Sequence, residues 1–120
     1  MTVLLIALGA AVGAPLRYLT DRAVQSRHAS AFPWGTFSVN VAGSLLLGAL
    51  VGWPVDPAVG ALLGTGFCGA LTTYSTFSYE TLRLARRGDR FLALANVLGS
   101  VAAGLSAAAV GYALARALLG

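Results

Sequence analysis

Apolar residues occur in four long runs, and most charged residues lie in the short connections between them. The runs cover about residues 2–22, 34–53, 58–82 and 91–115. An α-helix needs roughly 20 residues to cross the hydrocarbon core of a bilayer, and each run reaches that length. The pattern therefore predicts an all-α membrane protein, a single domain over residues 1–120, with four transmembrane helices.

The third run contains small and polar residues at the depth where a membrane span is normally most apolar. Its stretch from Gly64 to Glu80 reads GTGFCGALTTYSTFSYE. Glycine destabilises a helix by about 1 kcal/mol relative to alanine, and Ser and Thr can bond the backbone groups that a broken helix frees. We therefore expect the third helix to break near residues 69–75. Unwound carbonyls at that depth suit a cation, whereas half-helix N termini and hydroxyl groups suit an anion.

Polar or small residues recur at every fourth position in two other runs, which places each set on one helical face. These are Thr36, Asn40 and Ser44 in the second run, and Asn96, Ser100 and Gly104 in the fourth. The Asn40 amide has two N–H donors and no charge. It has two interpretations: a hydrogen bond between helices, worth about 1 kcal/mol in a bilayer, or a ligand to an anion.

Charge and cysteine usage exclude several classes of protein. The net charge of +4 comes from eight arginines and no lysine, against four acids. The arginines lie at run ends and connections, as membrane topology predicts, so nucleic-acid binding is not indicated. Arg17 either snorkels to the interface or lies at the mouth of an anion path. The single cysteine, Cys68, excludes an intramolecular disulfide.

The sequence offers little reactive chemistry. No acid lies at the centre of a run, and no Ser/His/Asp set, metal-ligand cluster or phosphate loop occurs, so we expect a protein that is not an enzyme. Neutral N–H and O–H donors can replace water around a small anion, and the edges of aromatic rings carry partial positive charge. The residues alone thus indicate a small membrane protein with polar seams that suit an anion path.

Two other functions compete with anion conduction. A small four-helix exporter of organic cations would normally need a buried carboxylate, which the runs lack. A non-transporting membrane scaffold would use the glycines for packing alone, but it leaves the aligned polar faces unexplained.

The blocks GAPLRY, WGTFSVNVAGS and GFCGALTTYSTFSYE, in this order, resemble the Fluc (CrcB) fluoride channel family. The likeness covers nearly the whole chain. It implies a passive, fluoride-selective channel of the cell membrane that lowers cytoplasmic fluoride by letting it leak out. It also implies an antiparallel, dual-topology dimer with fluoride pores at the interface and a structural Na⁺ ion on the dimer axis.

The resemblance assigns roles to residues by motif match. Gly69 and Thr72 are implied to supply backbone carbonyls to the Na⁺ ion, and Arg17 is implied to lie in the vestibule. The candidate fluoride-pore residues are Asn40, Thr73, Tyr74, Ser75, Thr76, Phe77, Asn96 and Ser100.

Three positions depart from the family pattern. Tyr74 stands where the first phenylalanine of an aromatic pair is usual, and Phe77 matches the second. Asn96 occupies a position that is often tyrosine, and Gly104 lacks a hydroxyl that some members have.

The arginines are distributed unequally between the two sides of the predicted bundle. Seven lie beside the first and third connections, and Arg116 alone lies on the other side. A homodimer of oppositely inserted copies should show little bias, because each copy inserts both ways. The count instead predicts one orientation with both connections cytoplasmic. Of the two possible dimer partners, another copy of the chain or an oppositely oriented homologue, it favours the homologue.

Overall fold

The apolar runs form helices in the computed structural model, which describes residues 1–28, 32–53 and 55–119. Over these ranges the chain is helical, with no strand. The helices are α1 (Thr2–Ser26), α2 (Trp34–Gly52), α3 (residues 57–71), α4 (Ser75–Arg86) and α5 (Arg90–Leu118). Within the described ranges, α1, α2 and α5 are the three helices long and apolar enough to cross a membrane.

The third apolar run forms two helices. α3 starts with Pro57, whose fixed φ suits a first helical position, and the Asp56 carboxylate accepts a hydrogen bond from the Ala58 amide at 3.0 Å. Helix α4 begins only at Ser75. Between them Thr72 is extended, with φ −82° and ψ 160°. The break thus lies inside the window of residues 69–75 that the glycine and hydroxyl pattern predicts.

Most of α3 is a π-helix, which the sequence did not predict. The π-helical segment is Gly60–Cys68, flanked by α-helical turns at Pro57–Val59 and Gly69–Leu71. Its glycines carry no side chains that would crowd the wider turn. π-Helical segments are rare and often mark functional sites.

Glycines let the helices pack backbone to backbone in two pairs, α1 with α3 and α2 with α5. A Cβ atom on Gly13 would lie 2.5 Å from the carbonyl oxygen of Phe67. In the second pair, a Cβ atom on Gly111 would clash with the Leu45 carbonyl. Membrane helices associate by such close van der Waals packing, because lipid provides no hydrophobic drive between them.

Glycine is also required where α4 ends. Gly88 has φ +88°, a left-handed conformation that other residues rarely adopt. The Asp89 amide then donates to the Leu84 carbonyl at 2.9 Å, which closes the helix end. This turn connects α4 to α5 and places Arg83, Arg86, Arg87 and Arg90 at one end of the molecule.

Large apolar side chains cover most of the outer surface. Leu4, Leu47, Leu98 and Leu105 are among the many that are exposed. A soluble protein rarely exposes so much contiguous apolar surface, whereas lipid solvates it well. The chain is therefore a multi-pass membrane protein.

Adding one methyl group to α5 tests the glycine packing. We expect Gly111→Ala to destabilise the fold by about 1–3 kcal/mol, because the new Cβ overpacks the contact with α2. The measurement is the temperature at which purified protein in detergent loses its monodisperse peak in size-exclusion chromatography.

Gly99→Ala is the matched control on the same helix, since a Cβ atom there meets nothing within 4 Å. Because alanine has a higher helix propensity than glycine, this variant should be as stable as the wild type or slightly more stable. Equal losses in both variants would contradict the packing argument.

Candidate functional site: a polar groove at the helix break

A groove of about 610 Å³ lies beside the break between α3 and α4. It is lined by α2, α3, α5 and the start of α4. Here the polar faces of α2 and α5 meet: Asn40 and Ser44 line one wall, and Ser100 and Gly104 line another. Two of the three residues in each four-residue spacing therefore line this one site.

The Asn40 side chain forms two hydrogen bonds with the backbone at the break. Its Nδ2 donates to the Thr73 carbonyl at 3.0 Å, and its Oδ1 accepts from the Thr73 amide at 2.8 Å. The side chain thus bonds both backbone groups of a residue that has left the helix. Nδ2 carries a second hydrogen, and Asn40 also lines the groove, so the amide can bond another acceptor there. Both interpretations of Asn40 are compatible with this geometry.

The break separates the backbone carbonyls of Gly69 and Thr72, among others, from their helical partners. In a continuous α-helix, the amides of Thr73 and Thr76 would bond the carbonyls of Gly69 and Thr72. The Thr73 amide instead donates to Asn40, and the Thr76 amide donates to Thr73 Oγ1 at 3.2 Å. Gly69 and Thr72 both line the groove. Carbonyl oxygens near the middle of the broken run are therefore available to a ligand.

Two aromatic rings lie at the edge of the groove. The ring centroids of Tyr74 and Phe77 are 6.2 Å apart, at an interplanar angle of 39°. The Tyr74 side chain, which belongs to the most polar part of the third apolar run, is 80% exposed. The groove is thus open on the side of Tyr74, and a single copy of the chain does not enclose it.

Asn96 lies behind the groove instead of lining it. It is 1% exposed, and its Nδ2 donates to Thr81 Oγ1 at 2.8 Å. Its Oδ1 accepts from the Ser100 hydroxyl at 3.3 Å. The Asn96 amide therefore fastens α4 to α5 and fixes the direction of the Ser100 hydroxyl.

The remaining candidates are placed apart from the groove. Ser75 is exposed at the start of α4, and Thr76 contributes its backbone amide to the Thr73 hydroxyl. Arg17 is half-buried on α1, more than two turns before that helix ends, and does not line the groove. The structure thus brings together Asn40, Thr73, Tyr74, Phe77 and Ser100, along with Gly69 and Thr72.

The sequence did not predict the contact between Thr36 and Glu80. The Thr36 hydroxyl, in a side chain that is 2% exposed, donates to Glu80 Oε1 at 2.6 Å. This bond joins α2 to α4 one turn from Asn40. Two features of the sequence could have indicated this bond. Thr36 lies four residues before Asn40 on the same helical face, and Glu80 is the acid that ends the hydroxyl-rich block.

Comparisons with known proteins place the chain among ion-channel homologues. Residues 4–112 match the model of the family described as CrcB-like protein, Camphor Resistance (CrcB). A fluoride-specific ion channel FluC 1 of Frankia casuarinae is 62% identical over 129 aligned positions, covering 100% of both chains. The fluoride-specific ion channel FluC 1 of Streptomyces avermitilis is 60% identical and covers 98% of both. A FluC 2 of Rhodococcus jostii is 54% identical over 95% of this chain and 98% of its own.

Removing the Asn40 amide tests its hold on the break. In Asn40→Ala the Thr73 amide loses its acceptor, so hydrogen–deuterium exchange at residues 72–74 should accelerate about tenfold, the effect of losing about 1.4 kcal/mol of protection. Mass spectrometry of the protein in detergent measures this, with peptides from α5 as the internal reference.

Ser38→Ala is the control on the same helix, because the Ser38 hydroxyl bonds the Trp34 carbonyl of its own helix at 2.8 Å. Exchange at the break should match the wild type in that variant. Unchanged exchange in Asn40→Ala would show that the break holds without the side chain.

Proposed function

Since the chain belongs to the CrcB-like family, we propose that it is a passive, fluoride-selective channel of the cell membrane. Open to both sides, such a channel lets cytoplasmic fluoride leak out without an energy source. The observation that supports this most directly is the groove at the helix break, whose polar lining residues are uncharged. Neutral donors next to a low-dielectric wall attract an anion without holding it as a fixed positive charge would.

The groove chemistry fits a small anion that must lose its water. Fluoride is small and strongly hydrated, so it needs short, convergent hydrogen bonds in exchange for its hydration shell. The second Asn40 N–H and the Thr73 hydroxyl offer such bonds, and the edges of the Tyr74 and Phe77 rings offer weaker ones. Larger halides are expected to fit these donors poorly.

Other candidate residues act around that path in this proposal. The Ser100 oxygen faces the groove while Asn96 fixes its orientation from behind. Ser75 and Thr76 belong to the start of α4 and support the break. Arg17 supplies positive potential at an entrance, where it raises the local fluoride concentration.

A second subunit would close the groove. We propose a dimer with antiparallel subunits, in which α3 and α4 together act as the third of four spans. The open groove and the exposed Tyr74 ring support this, because a water-exposed or lipid-exposed polar groove would not conduct selectively. The second subunit is either another copy or an oppositely oriented homologue.

The backbone at the break suits the structural Na⁺ ion that we propose for the dimer axis. The Gly69 and Thr72 carbonyls have lost their helical amide partners, and oxygens of this kind at half-helix ends bind Na⁺ in membrane proteins. Among the described residues no group of three His, Cys, Asp or Glu side chains competes as a metal site. When bound, the ion supplies positive charge to the break; the chain's part is to present the two carbonyls.

Fluoride efflux from liposomes tests the function. Wild-type protein should release fluoride rapidly and chloride hardly at all, both measured with ion-selective electrodes. Asn40→Asp should conduct no measurable fluoride, because a carboxylate in a low-dielectric path repels the anion.

Ser38→Ala again serves as the control and should conduct like the wild type, since its hydroxyl lies outside the groove. Fluoride flux in Asn40→Asp equal to that of the wild type would remove Asn40 from the path. Equal chloride and fluoride release from wild-type liposomes would contradict selectivity.

The arginine distribution predicts the orientation of each copy in the cell. Arg116 is exposed near the end of α5, so Arg116→Cys in a Cys68→Ala background can be labelled from outside with a membrane-impermeant maleimide. A fixed orientation predicts that nearly all copies react before the cells are opened. Labelling of about half the copies would instead indicate dual insertion, and hence pairing of the chain with itself.

A further inference from the structure

The Ser44 hydroxyl has no hydrogen-bond partner among the described residues, although it lies in the middle of α2. Some helical hydroxyls bond the carbonyl one turn back: Ser38 bonds Trp34 at 2.8 Å, and Thr81 bonds Phe77 at 2.8 Å. Ser44 is half-buried and lines the groove. Since no buried side-chain polar atom of the described residues lacks a partner, the Ser44 oxygen is open to the groove, where its hydroxyl is available to a ligand.

Gly104 leaves room for that ligand. It lies across the groove from Ser44, and a Cβ atom at position 104 would be 3.5 Å from Ser44 Oγ. A larger side chain would therefore fill the space in front of the hydroxyl. The chain thus combines a free donor with a missing side chain on the opposite wall.

Two other hydroxyls of the groove already donate within the protein. Ser100 donates to Asn96 Oδ1 at 3.3 Å, and Thr72 donates to the Cys68 carbonyl at 2.8 Å. A hydroxyl has one hydrogen to donate, so these two present oxygen lone pairs to the groove and would repel an anion. Ser44, like Thr65 and Thr73, donates to no described residue, and of these three it is the one that shares a helical face with Asn40.

Ser44 also follows Asn40 on the same helical face, about 6 Å further along the axis. We propose that the Ser44 hydroxyl binds the permeating anion at a second position, one turn deeper than Asn40, with Gly104 providing the space. The ligand is a small, dehydrated anion. Under the proposed function, on which this inference rests, that anion is fluoride. Two donor positions in line allow an anion to pass from one to the next.

The test measures fluoride efflux from liposomes for Ser44 variants beside the wild type. Ser44→Ala removes the donor and should lower the initial efflux rate about tenfold, which corresponds to losing one hydrogen bond to a charged ligand. Ser44→Thr keeps the hydroxyl and should stay within a few-fold of the wild type. Ser38→Ala is the matched control on α2 and should not differ from it.

A second pair of variants tests the space. Gly104→Val places a branched side chain before the hydroxyl and should abolish flux. Gly99→Val adds the same side chain to α5 where a Cβ meets nothing within 4 Å, and it should conduct normally. Size-exclusion chromatography must show the same assembly for all variants.

The outcomes separate this inference from the proposed function. Wild-type efflux together with full efflux from Ser44→Ala or Gly104→Val would overturn the Ser44 position alone. A loss of flux in Ser44→Ala accompanied by dissociation of the subunits would also overturn it, since the hydroxyl would then serve a subunit contact. Absence of fluoride efflux from the wild type would overturn the function and the inference together.

Discussion

Everything at the groove depends on satisfying backbone polar groups where a helix stops inside the membrane. Lipid offers those groups no hydrogen bond, so a break persists only where protein groups bond them or where they line a cavity. Asn40 does this for Thr73 with two hydrogen bonds, and the Thr73 hydroxyl does it for the Thr76 amide. Because side chains take these amides, the carbonyls of the preceding turn become free to act as ligands. The break and its chemistry are therefore one feature, which the Asn40 amide and the Thr73 hydroxyl maintain.

The glycines determine how close that amide comes to the break. α2 packs directly on the α5 backbone at Gly111, and α1 packs on α3 at Gly13, so the bundle narrows to backbone contact on two sides. Gly43 completes the arrangement, since the Thr72 methyl group occupies the place of its missing side chain. Thr73 can then reach Asn40. Small residues thus act at a distance from the groove by setting the spacing of its walls.

The sequence predicted those features that depend on local chemistry. The break and the polar faces of α2 and α5 followed from the glycine and hydroxyl residues of the third run and from the four-residue spacings. It did not predict the π-helix in α3. It also did not predict the Thr36–Glu80 bond, because that bond joins helices that are distant along the chain. For the same reason the sequence could not distinguish Asn40, which lines the groove, from Asn96, which supports it. Both are asparagines on a polar stripe, and only their partners differ.

The hydrogen-bond directions explain how a groove rich in oxygen atoms can still favour an anion. Oxygens face it from carbonyls and hydroxyls alike, so the sign of its potential depends on where each hydrogen points. Asn96 turns the Ser100 hydrogen away, whereas Asn40 and Ser44 keep hydrogens for the groove. Glu80 does not line this site and accepts a hydrogen bond from the Thr36 hydroxyl, one turn of α2 from Asn40. Hydrogen-bond donors on α2 therefore face carbonyl oxygens at the break. An anion suits the position beside the donors, and a cation suits the position beside the carbonyl oxygens.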